Sequence, residues 1–248
     1  MKFILPTRSI LLAAALACCL PGSLHADTGG QEDVTVGHFP GALWNDVKAV
    51  PGRENGLWLL GGTALTILVY QFEDADAAAE FLNQPILDPL ADFGNIWGDM
   101  RVQVPLALGT WGIGSWAGSN EVAGFGFDLS RGLLLTYATT SLIKPLVNRT
   151  RPNGEDYSFP SGHTAAAFTT AGVVTQRYGG WLGGLSIGLG VLTGMGRMED
   201  MKHYASDVVA GATIGWIFGR TVARDDPPDE TAWQLVPFGS GLAMLKRF

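Results

Sequence analysis

The chain has 248 residues, which is enough for one domain with a sizeable core. Hydrophobic residues make up 47% of it and charged residues only 16%, a balance that favours packed apolar helices or a membrane setting. The net charge of -7 argues against a nucleic-acid-binding protein, which normally has a basic face, but it leaves room for a local basic cluster that binds an anion.

Residues 1–26 have the pattern of a cleavable signal peptide. Lys2 and Arg8 supply the positive region, and Ile10–Leu20 is an apolar run too short to span a bilayer comfortably. Ala26 is a small residue at the expected cleavage point, and an uncleaved membrane anchor is the alternative. Both cysteines lie in this segment, so the mature chain would have no disulfide and no cysteine-based metal site, which suits a bacterial periplasm.

Residues 27–52 are polar and contain glycine, so we expect an irregular lead-in. Six apolar stretches follow, each bounded by glycine, proline or charged residues as helices are: Leu57–Phe72, Val104–Ala117, Leu129–Val147, Thr164–Tyr178, Trp181–Met195 and Ser206–Val222. No period-2 alternation runs through the middle of the chain. We therefore predict an all-α fold, a six-helix bundle that occupies residues 53–224.

Two segments fall outside these stretches. Residues 73–101 are polar, and their spaced apolar positions predict short amphipathic helices broken at Pro85 and Pro89. The tail, residues 225–248, begins with acidic residues and two prolines that end a helix. Its Gly-Ser-Gly turn between two short runs is compatible with a small hairpin.

Membrane embedding is harder to decide from this pattern. Small residues inside the stretches, such as Gly183, Gly184 and Ala165–Ala167, let helices approach closely as they do in membrane bundles. Most stretches are nevertheless shorter than the roughly 20 residues of a spanning helix, and several are rich in threonine, serine and glycine. We expect a membrane-embedded or membrane-associated bundle, with a soluble bundle as the alternative.

Three clusters carry side chains suited to phosphate chemistry. In the first, Lys144 and Arg151 are seven residues apart, which would place them on one helix face, and Pro152 would then end the helix. Two neighbouring cations repel each other unless an anion lies between them, and the planar fork of arginine suits phosphate oxygens. A positively charged flank beside a membrane helix is the alternative.

The second cluster is Pro160-Ser161-Gly162-His163, at the start of the fourth apolar stretch. A helix N-terminus presents free N–H groups and a positive dipole end, and Gly162 lets the backbone come close to a ligand. Ser161 can donate a hydroxyl hydrogen bond, and His163 can give a proton to a leaving oxygen. The alternative is a plain serine cap followed by an incidental histidine.

The third cluster is Arg197, His203 and Asp207. His203 and Asp207 are four residues apart, which would make them neighbours on one helix face. The carboxylate can accept the imidazole Nδ1–H, which leaves Nε2 free to attack an electrophile. A surface helix pair is the alternative for these two residues alone, but the combination of the three clusters favours chemistry.

In order and internal spacing, the three clusters resemble the signature of the type-2 phosphatidic acid phosphatase (PAP2) family, which also includes bacterial class A acid phosphatases and vanadium haloperoxidases. The matching segments are Lys144-x6-Arg151-Pro152, Pro160-Ser161-Gly162-His163 and Arg197-x5-His203-x3-Asp207. The resemblance covers residues 55–222, and the run from Asp207 to Ala212 is closest to the lipid-phosphatase and bacterial phosphatase branches.

The resemblance implies a metal-independent phosphatase without a cofactor. His203 would attack phosphorus and form a phosphohistidine, Asp207 would orient it, and His163 would protonate the leaving group and then help to activate water. The groups that would bind the phosphoryl oxygens are Lys144, Arg151, Arg197, Ser161 and Gly162. Three cations and a helix N-terminus supply the positioning and charge stabilisation that phosphoryl transfer requires.

One position departs from the family pattern. Gly196 stands where the family usually has a serine before the arginine, which would remove a supporting hydrogen bond. The link between the first two clusters, residues 153–159, has only seven residues, so we expect no large substrate lid there.

The leading hypothesis is hydrolysis of a phosphate monoester or diphosphate on a lipid, in the bacterial cell envelope with the site facing the periplasm. The alternatives are a soluble periplasmic acid phosphatase of broad specificity, a vanadate-dependent haloperoxidase and a non-catalytic membrane or scaffold protein. A scaffold has no need for two histidines and three cations at these spacings. The organic part of the substrate and the oligomeric state are left open.

Overall fold

The computed structural model describes residues 34–85, 87–224, 234–238 and 241–245. The expected signal peptide lies outside them. Nine helices lie within the described residues: α1 (Phe39–Ala49), α2 (Arg53–Phe72), α3 (Ala75–Leu82), α4 (Asp88–Trp97), α5 (Met100–Ala117), α6 (Asn120–Val147), α7 (Gly162–Tyr178), α8 (Gly180–Glu199) and α9 (Ala205–Val222). In the tail, the strands β1 (Gln234–Phe238) and β2 (Gly241–Leu245) pair antiparallel.

The expected helical architecture is present between residues 53 and 224, and each of the six apolar stretches falls within a helix, namely α2 or one of α5 to α9. The described residues contain three helices besides these six: α1 was not predicted, and α3 and α4 are the short helices expected in residues 73–101. These helices have 11, 8 and 10 residues, so a search for long apolar stretches passes over them. Within the described ranges, no helix combines the length and the apolar character needed to cross a membrane.

The lead-in, residues 27–52, is not irregular throughout, because α1 lies within it. Pro40 is in the first turn of α1, where its missing N–H removes no intrahelical hydrogen bond. Phe39 stacks on Trp111 with ring centroids 5.5 Å apart and meets Phe127 edge-on at 5.6 Å. Contacts with α5 and α6 therefore stabilise a helix that its own polar sequence does not indicate.

Residues 73–101 form two short helices, α3 and α4, as the spacing predicts. Asp74 caps α3, because its carboxylate accepts a 3.0 Å hydrogen bond from the N–H of Ala77. Pro85 lies between the two helices, but Pro89 is in the first turn of α4 and does not break it.

Helices α7 and α9 pack with their backbones in contact. A Cβ atom at Gly215 would lie 2.0 Å from the carbonyl oxygen of Ala165, and one at Gly211 would lie 2.4 Å from that of Ser161. Glycine is required at both positions because any side chain would separate the helices. Since Gly211 contacts Ser161, this packing fixes the first turn of α7 beside the first turns of α9, where the second and third clusters lie.

The apolar core lies mainly between α6 and α7. Its buried members are Ala107, Phe125, Leu129, Leu133, Ala166, Val173, Val222 and Ala223. Threonines continue it towards the site: Thr136 and Thr169 are buried and share a hydrogen bond of 2.7 Å. The packed helices form a rigid support for the loops at one end of the bundle.

Candidate active site

The loops that join α6 to α7 and α8 to α9 meet at one end of the bundle. The N–H of Asn153 donates to the carbonyl oxygen of Met201, and the N–H of Ser161 donates to that of Asp207, each at 3.0 Å. These bonds tie the first and second clusters to the third. The structure thus brings all three clusters of the sequence together.

His203 is buried and precedes α9 rather than lying on it, because the helix begins at Ala205. The prediction of two neighbours on one helix face is therefore wrong, although the pair does meet. The Nδ1 atom of His203 lies 3.6 Å from Oδ2 of Asp207, which is close for an ion pair but too long for a hydrogen bond. Burial lowers the pKa of His203 to about 4, and the charges of Lys144 and Arg197 lower it against the opposing effect of Asp207.

Asp207 lies in the first turn of α9 and is fully buried. Its Oδ2 atom accepts hydrogen bonds from the Ser158 hydroxyl and from the N–H of Tyr204, and its Oδ1 atom accepts one of 2.7 Å from Arg149. Burial opposes the charge, but the contacts with His203, Ser158, Tyr204 and Arg149 outweigh it and lower the pKa of Asp207. The carboxylate beside the imidazole is therefore ionised.

Lys144 is in the last turn of α6, and its Nζ atom donates a 2.7 Å hydrogen bond to the carbonyl oxygen of Tyr157. Burial lowers its pKa to about 8, and the charges of Arg151 and Arg197 add to this, with Asp207 acting in the other direction. Arg151 does not share a helix face with Lys144, because α6 ends at Val147 and Arg151 reaches the site from the loop. The cations still lie close enough to repel each other.

The early end of α6 has a local cause. Asn148 follows the last helical residue with a φ of 45°, in the left-handed region that asparagine tolerates better than most residues. Its N–H closes the last turn by donating to the carbonyl oxygen of Lys144. Asn148 therefore ends the helix four residues before Pro152, which we expected to end it.

The two arginines of the signature each keep a donor without an acceptor. The Nε atoms of Arg151 and Arg197 are buried and have no hydrogen-bond partner among the described residues. Nη1 of Arg151 lies 3.1 Å from the exposed Glu155, and Nη1 of Arg197 lies 3.1 Å from Oδ1 of Asn95. Burial lowers the pKa of Arg197, and the positive charge of Arg151 contributes. An anion would satisfy these donors and relieve the repulsion.

Ser161 and Gly162 form the start of α7. Ser161 is the N-cap, and its hydroxyl oxygen accepts a 3.4 Å hydrogen bond from the N–H of Thr164 while it shares another of 2.9 Å with the Thr164 hydroxyl. A Cβ atom at Gly162 would meet no atom within 4 Å, so this backbone faces open space. The first turn of α7 is therefore accessible to a ligand.

His163 is in the first turn of α7, and its Nε2 atom lies 3.9 Å from Oδ2 of Asp99, the N-cap of α5. Burial lowers the pKa of His163 to about 4, and the charge of Arg197 adds to this against the attraction of Asp99. Hydrogen bonds from Nε and Nη2 of Arg101 lower the pKa of Asp99 to about 2, so its carboxylate stays ionised. A nearby negative charge favours a protonated His163.

Two residues of the site were not among the sequence candidates. Arg149 binds Asp207, the Ser206 hydroxyl at 2.7 Å and the carboxylate of Glu73, and its guanidinium lies 3.8 Å from the ring centroid of Tyr204. Glu73 also accepts a 2.9 Å hydrogen bond from the N–H of Ser206, at the start of α9. The two residues lie 76 positions apart, so no local spacing could indicate their pairing.

No group of three or more His, Cys, Asp or Glu side chains within the described ranges is arranged to hold a metal ion. The candidate site instead contains two histidines, two carboxylates held by Arg149, and three cations that repel one another. This arrangement can hold a phosphoryl group and present an imidazole nitrogen to it.

Comparisons with known proteins give a consistent result. The model of the PAP2 superfamily matches residues 125–228, which include all three clusters. The chain is 35% identical over 92 residues to a lipid A 1-phosphatase from Porphyromonas gingivalis, covering 36% of this chain and 21% of that protein. It is 28% identical over 153 residues to a lipid A 4'-phosphatase from Helicobacter pylori, covering 56% of this chain and 73% of that protein.

The chain thus spans about a fifth of the length of the first relative and most of the second. Among solved structures, LpxE from Aquifex aeolicus matches with 24% identity and a TM-score of 0.45, covering 63% of this chain and 91% of that one. A PAP2-type phosphatidylglycerolphosphate phosphatase from Bacillus subtilis matches with 18% identity and a TM-score of 0.47, covering 75% of this chain and 92% of that one.

Proposed function

We propose that this chain is a member of the PAP2 superfamily and a phosphatase that hydrolyses phosphate monoesters or diphosphates through a phosphohistidine at His203. The observation that carries the proposal is the set of three mutually repelling cations around a buried, neutral imidazole. Lys144, Arg151 and Arg197 each lie within electrostatic reach of another member of the set. Such an arrangement is unfavourable without an anion, and a phosphoryl group supplies the missing negative charge.

In the first step, Nε2 of His203 attacks phosphorus. The Nδ1 atom faces Asp207, so the ionised carboxylate stabilises the positive charge that the imidazole acquires as the P–N bond forms and the P–O ester bond breaks. The leaving oxygen takes a proton from His163. The bound phosphate and Asp99, 3.9 Å from Nε2, both favour the protonated form of His163.

In the second step, water attacks the phosphohistidine. His163 now accepts a proton from the water, the P–N bond breaks, and inorganic phosphate leaves with His203 again neutral. The three cations, the Ser161 hydroxyl and the N–H of Gly162 would hold the non-bridging oxygens throughout. No metal ion takes part in these steps, so we expect phosphate release to continue in EDTA.

A lipid is the substrate class we favour, in the bacterial cell envelope with the site on the periplasmic side. Two matched relatives are lipid A phosphatases. Large apolar side chains are exposed along α2, including Leu57, Leu60 and Leu68 at 62%, 69% and 56%. An exposed apolar surface of this extent suits contact with a lipid phase.

An apolar groove with a cavity volume of about 670 Å³ supports the same choice. It lies between α1, α5 and α6, and its lining includes Val104, Leu108, Leu133 and Leu134. One end of the groove is at Met100, the residue directly after Asp99 of the site. A chain-bearing phosphate could therefore place its head at His203 and its apolar part in this groove.

The activity is tested by phosphate release from lipid A phosphate, phosphatidate and p-nitrophenyl phosphate, with and without EDTA. His203→Ala should reduce release by about 10⁴-fold or more, because it removes the nucleophile. His38→Ala, at the N-cap of α1, is the matched control and should leave the rate unchanged. Equal rates for wild type and His203→Ala would contradict the proposal.

The substrate class is tested by filling the groove. Leu134→Trp should slow hydrolysis of the lipid substrates and leave that of p-nitrophenyl phosphate unchanged, because only the former have an apolar part to place there. Leu185→Trp, on the exposed face of α8, is the control. Equal rates on lipid and soluble esters in both variants would favour a soluble phosphatase of broad specificity.

A further inference from the structure

Helix α4 packs directly behind Arg197, although its sequence gives no sign of a role in the site. A Cβ atom at Gly196 would lie 2.5 Å from the carbonyl oxygen of Ala91 and 2.9 Å from Cγ of Asn95. A Cβ atom at Gly94 would lie 2.3 Å from a backbone oxygen of α8. The two helices therefore contact each other backbone to backbone, and glycine on both sides is what permits this.

The close packing brings the Asn95 side chain to Arg197. Its Oδ1 atom accepts a 3.1 Å hydrogen bond from Nη1 of Arg197, and its Nδ2 atom donates to Oδ2 of Asp200 at 3.0 Å and to the carbonyl oxygen of Gly196 at 3.5 Å. The guanidinium can only donate and the carboxylate can only accept. These partners therefore fix which way the amide points.

The amide orients the guanidinium without neutralising it. Asp200 also pairs with Arg197, with its Oδ2 atom 3.4 Å from Nη1, but this carboxylate is about half exposed and accepts a shorter, 3.0 Å hydrogen bond from Asn95. A close ion pair with a buried carboxylate would compete with a phosphoryl group for the arginine, whereas a neutral amide and an exposed, solvent-screened carboxylate compete less. Arg197 is thus anchored at Nη1 while its buried Nε keeps a donor free of acceptors in the described part of the chain.

We infer that Asn95 is a positioning residue for Arg197, and that Gly196 is the residue that lets α4 bring it there. The inference rests on the proposed phosphatase function. Asn95 then supplies from another helix the kind of support that a serine at position 196 would give in the family pattern. The two arrangements exclude each other, because a side chain at 196 would overlap the Asn95 amide.

The first test is a double-mutant cycle on kcat/KM and on inhibition by inorganic phosphate and by orthovanadate. Asn95→Ala should lower kcat/KM by about 10- to 100-fold, the size of a hydrogen bond to a charged group, and should weaken inhibition by both anions. In the Arg197→Gln background the same change should have less than about a twofold effect, because its target is gone. Additive losses in the cycle would overturn the inference.

The second test restores the family serine. Gly196→Ser should lower kcat/KM, because the new Cβ atom would force α4 and Asn95 away from Arg197. Gly188→Ser is the matched control on the same helix, since a Cβ atom there would meet nothing within 4 Å. A gain of activity in Gly196→Ser would overturn the inference, because it would mean that the glycine had only removed a useful hydroxyl.

The two proposals fail in different ways. A folded wild-type protein without phosphatase activity contradicts the proposed function. An active wild type with an unchanged Asn95→Ala variant contradicts the role of Asn95 and leaves the function standing. Circular dichroism and the urea midpoint of each variant distinguish misplacement of Arg197 from loss of the fold, and Asn95→Ala should retain both signals.

Discussion

Two groups of charged residues lie far apart along α6, and only the group at its C-terminal end has the charge balance of a ligand site. In the far-end cluster, which consists of Asp46, Asp128, Arg131 and Arg177, Asp128 accepts 2.6 Å hydrogen bonds from both arginines. Asp46 lies 3.0 Å from Nε of Arg131. Arg131 and Lys144 are 13 residues apart on the helix, a distance of about 20 Å.

The candidate site has the opposite balance. Its cations Lys144, Arg151 and Arg197 lie close enough to repel one another. In the far-end cluster each cation faces a largely buried carboxylate, whereas the carboxylates beside Arg151 and Arg197 are about half exposed. Buried charge by itself therefore does not mark a functional site. Neighbouring positive charges whose carboxylate partners are exposed, next to a buried histidine, do mark one.

The largest expected effect is on kcat, and it comes from removing a cation of the candidate site. Arg151→Gln should lower kcat by about 10²- to 10³-fold, because it removes one of the charges that stabilise the transition state. The free energy of unfolding should not fall, because the variant also relieves repulsion with Lys144. Phosphate release and urea unfolding measure the two quantities, and a loss of stability equal to the loss of activity would show that Arg151 is structural.

The reciprocal substitution is at the far end. Asp128→Asn should lower the free energy of unfolding by about 3–5 kcal/mol, because it leaves Arg131 and Arg177 buried without their shared carboxylate. In the folded protein kcat should change by less than about twofold, since the site is about 20 Å away. Glu80→Gln, at an exposed position on α3, is the control and should change neither quantity.

Arg149 does not fit the division into a ligand site and a paired structural cluster, because it lies at the candidate site and yet pairs with two carboxylates. Its partners are the buried Asp207 and Glu73. Arg149→Gln should lower kcat by about tenfold or more, since Asp207 loses one of the contacts that keep it ionised beside His203, and should also lower stability by about 1–3 kcal/mol. A change in kcat alone would make Arg149 a purely functional residue, and a change in the free energy of unfolding alone would make it a purely structural one.

Part of this organisation follows from the sequence alone. The six apolar stretches predict helices α2 and α5 to α9, because long apolar runs bounded by glycine, proline or charged residues favour helices over strands. The three clusters predict which residues meet, because their identities and spacings together are far more specific than any single pair. The prediction of helix ends was less successful, as Asn148 and Ala205 show.

The missed contacts share one physical property. Arg149 and Glu73 are 76 positions apart, and Asn95 and Arg197 are 102 apart. The periodicity of a sequence indicates only which residues are neighbours on the same helix or strand. Contacts between different helices cannot be predicted from it until their packing is known. Gly196 comes closest to indicating such a contact from the sequence. A glycine at a position where serine is usual indicates either a lost hydrogen bond or the close approach of another helix. In the structure α4 lies against Gly196, so the close approach is the reason.

The smallest expected effect concerns the charge of Lys144. Burial and the neighbouring arginines lower its pKa to about 8, so the free enzyme loses this positive charge as the pH rises through that value. At pH 9 kcat/KM should therefore lie about tenfold below its plateau if binding depends on the charge. Arginine stays protonated across this range, so Lys144→Arg should lack this alkaline decline. Lys48→Arg on α1 is the control, and an alkaline limb that is identical in wild type and Lys144→Arg would show that another group is responsible.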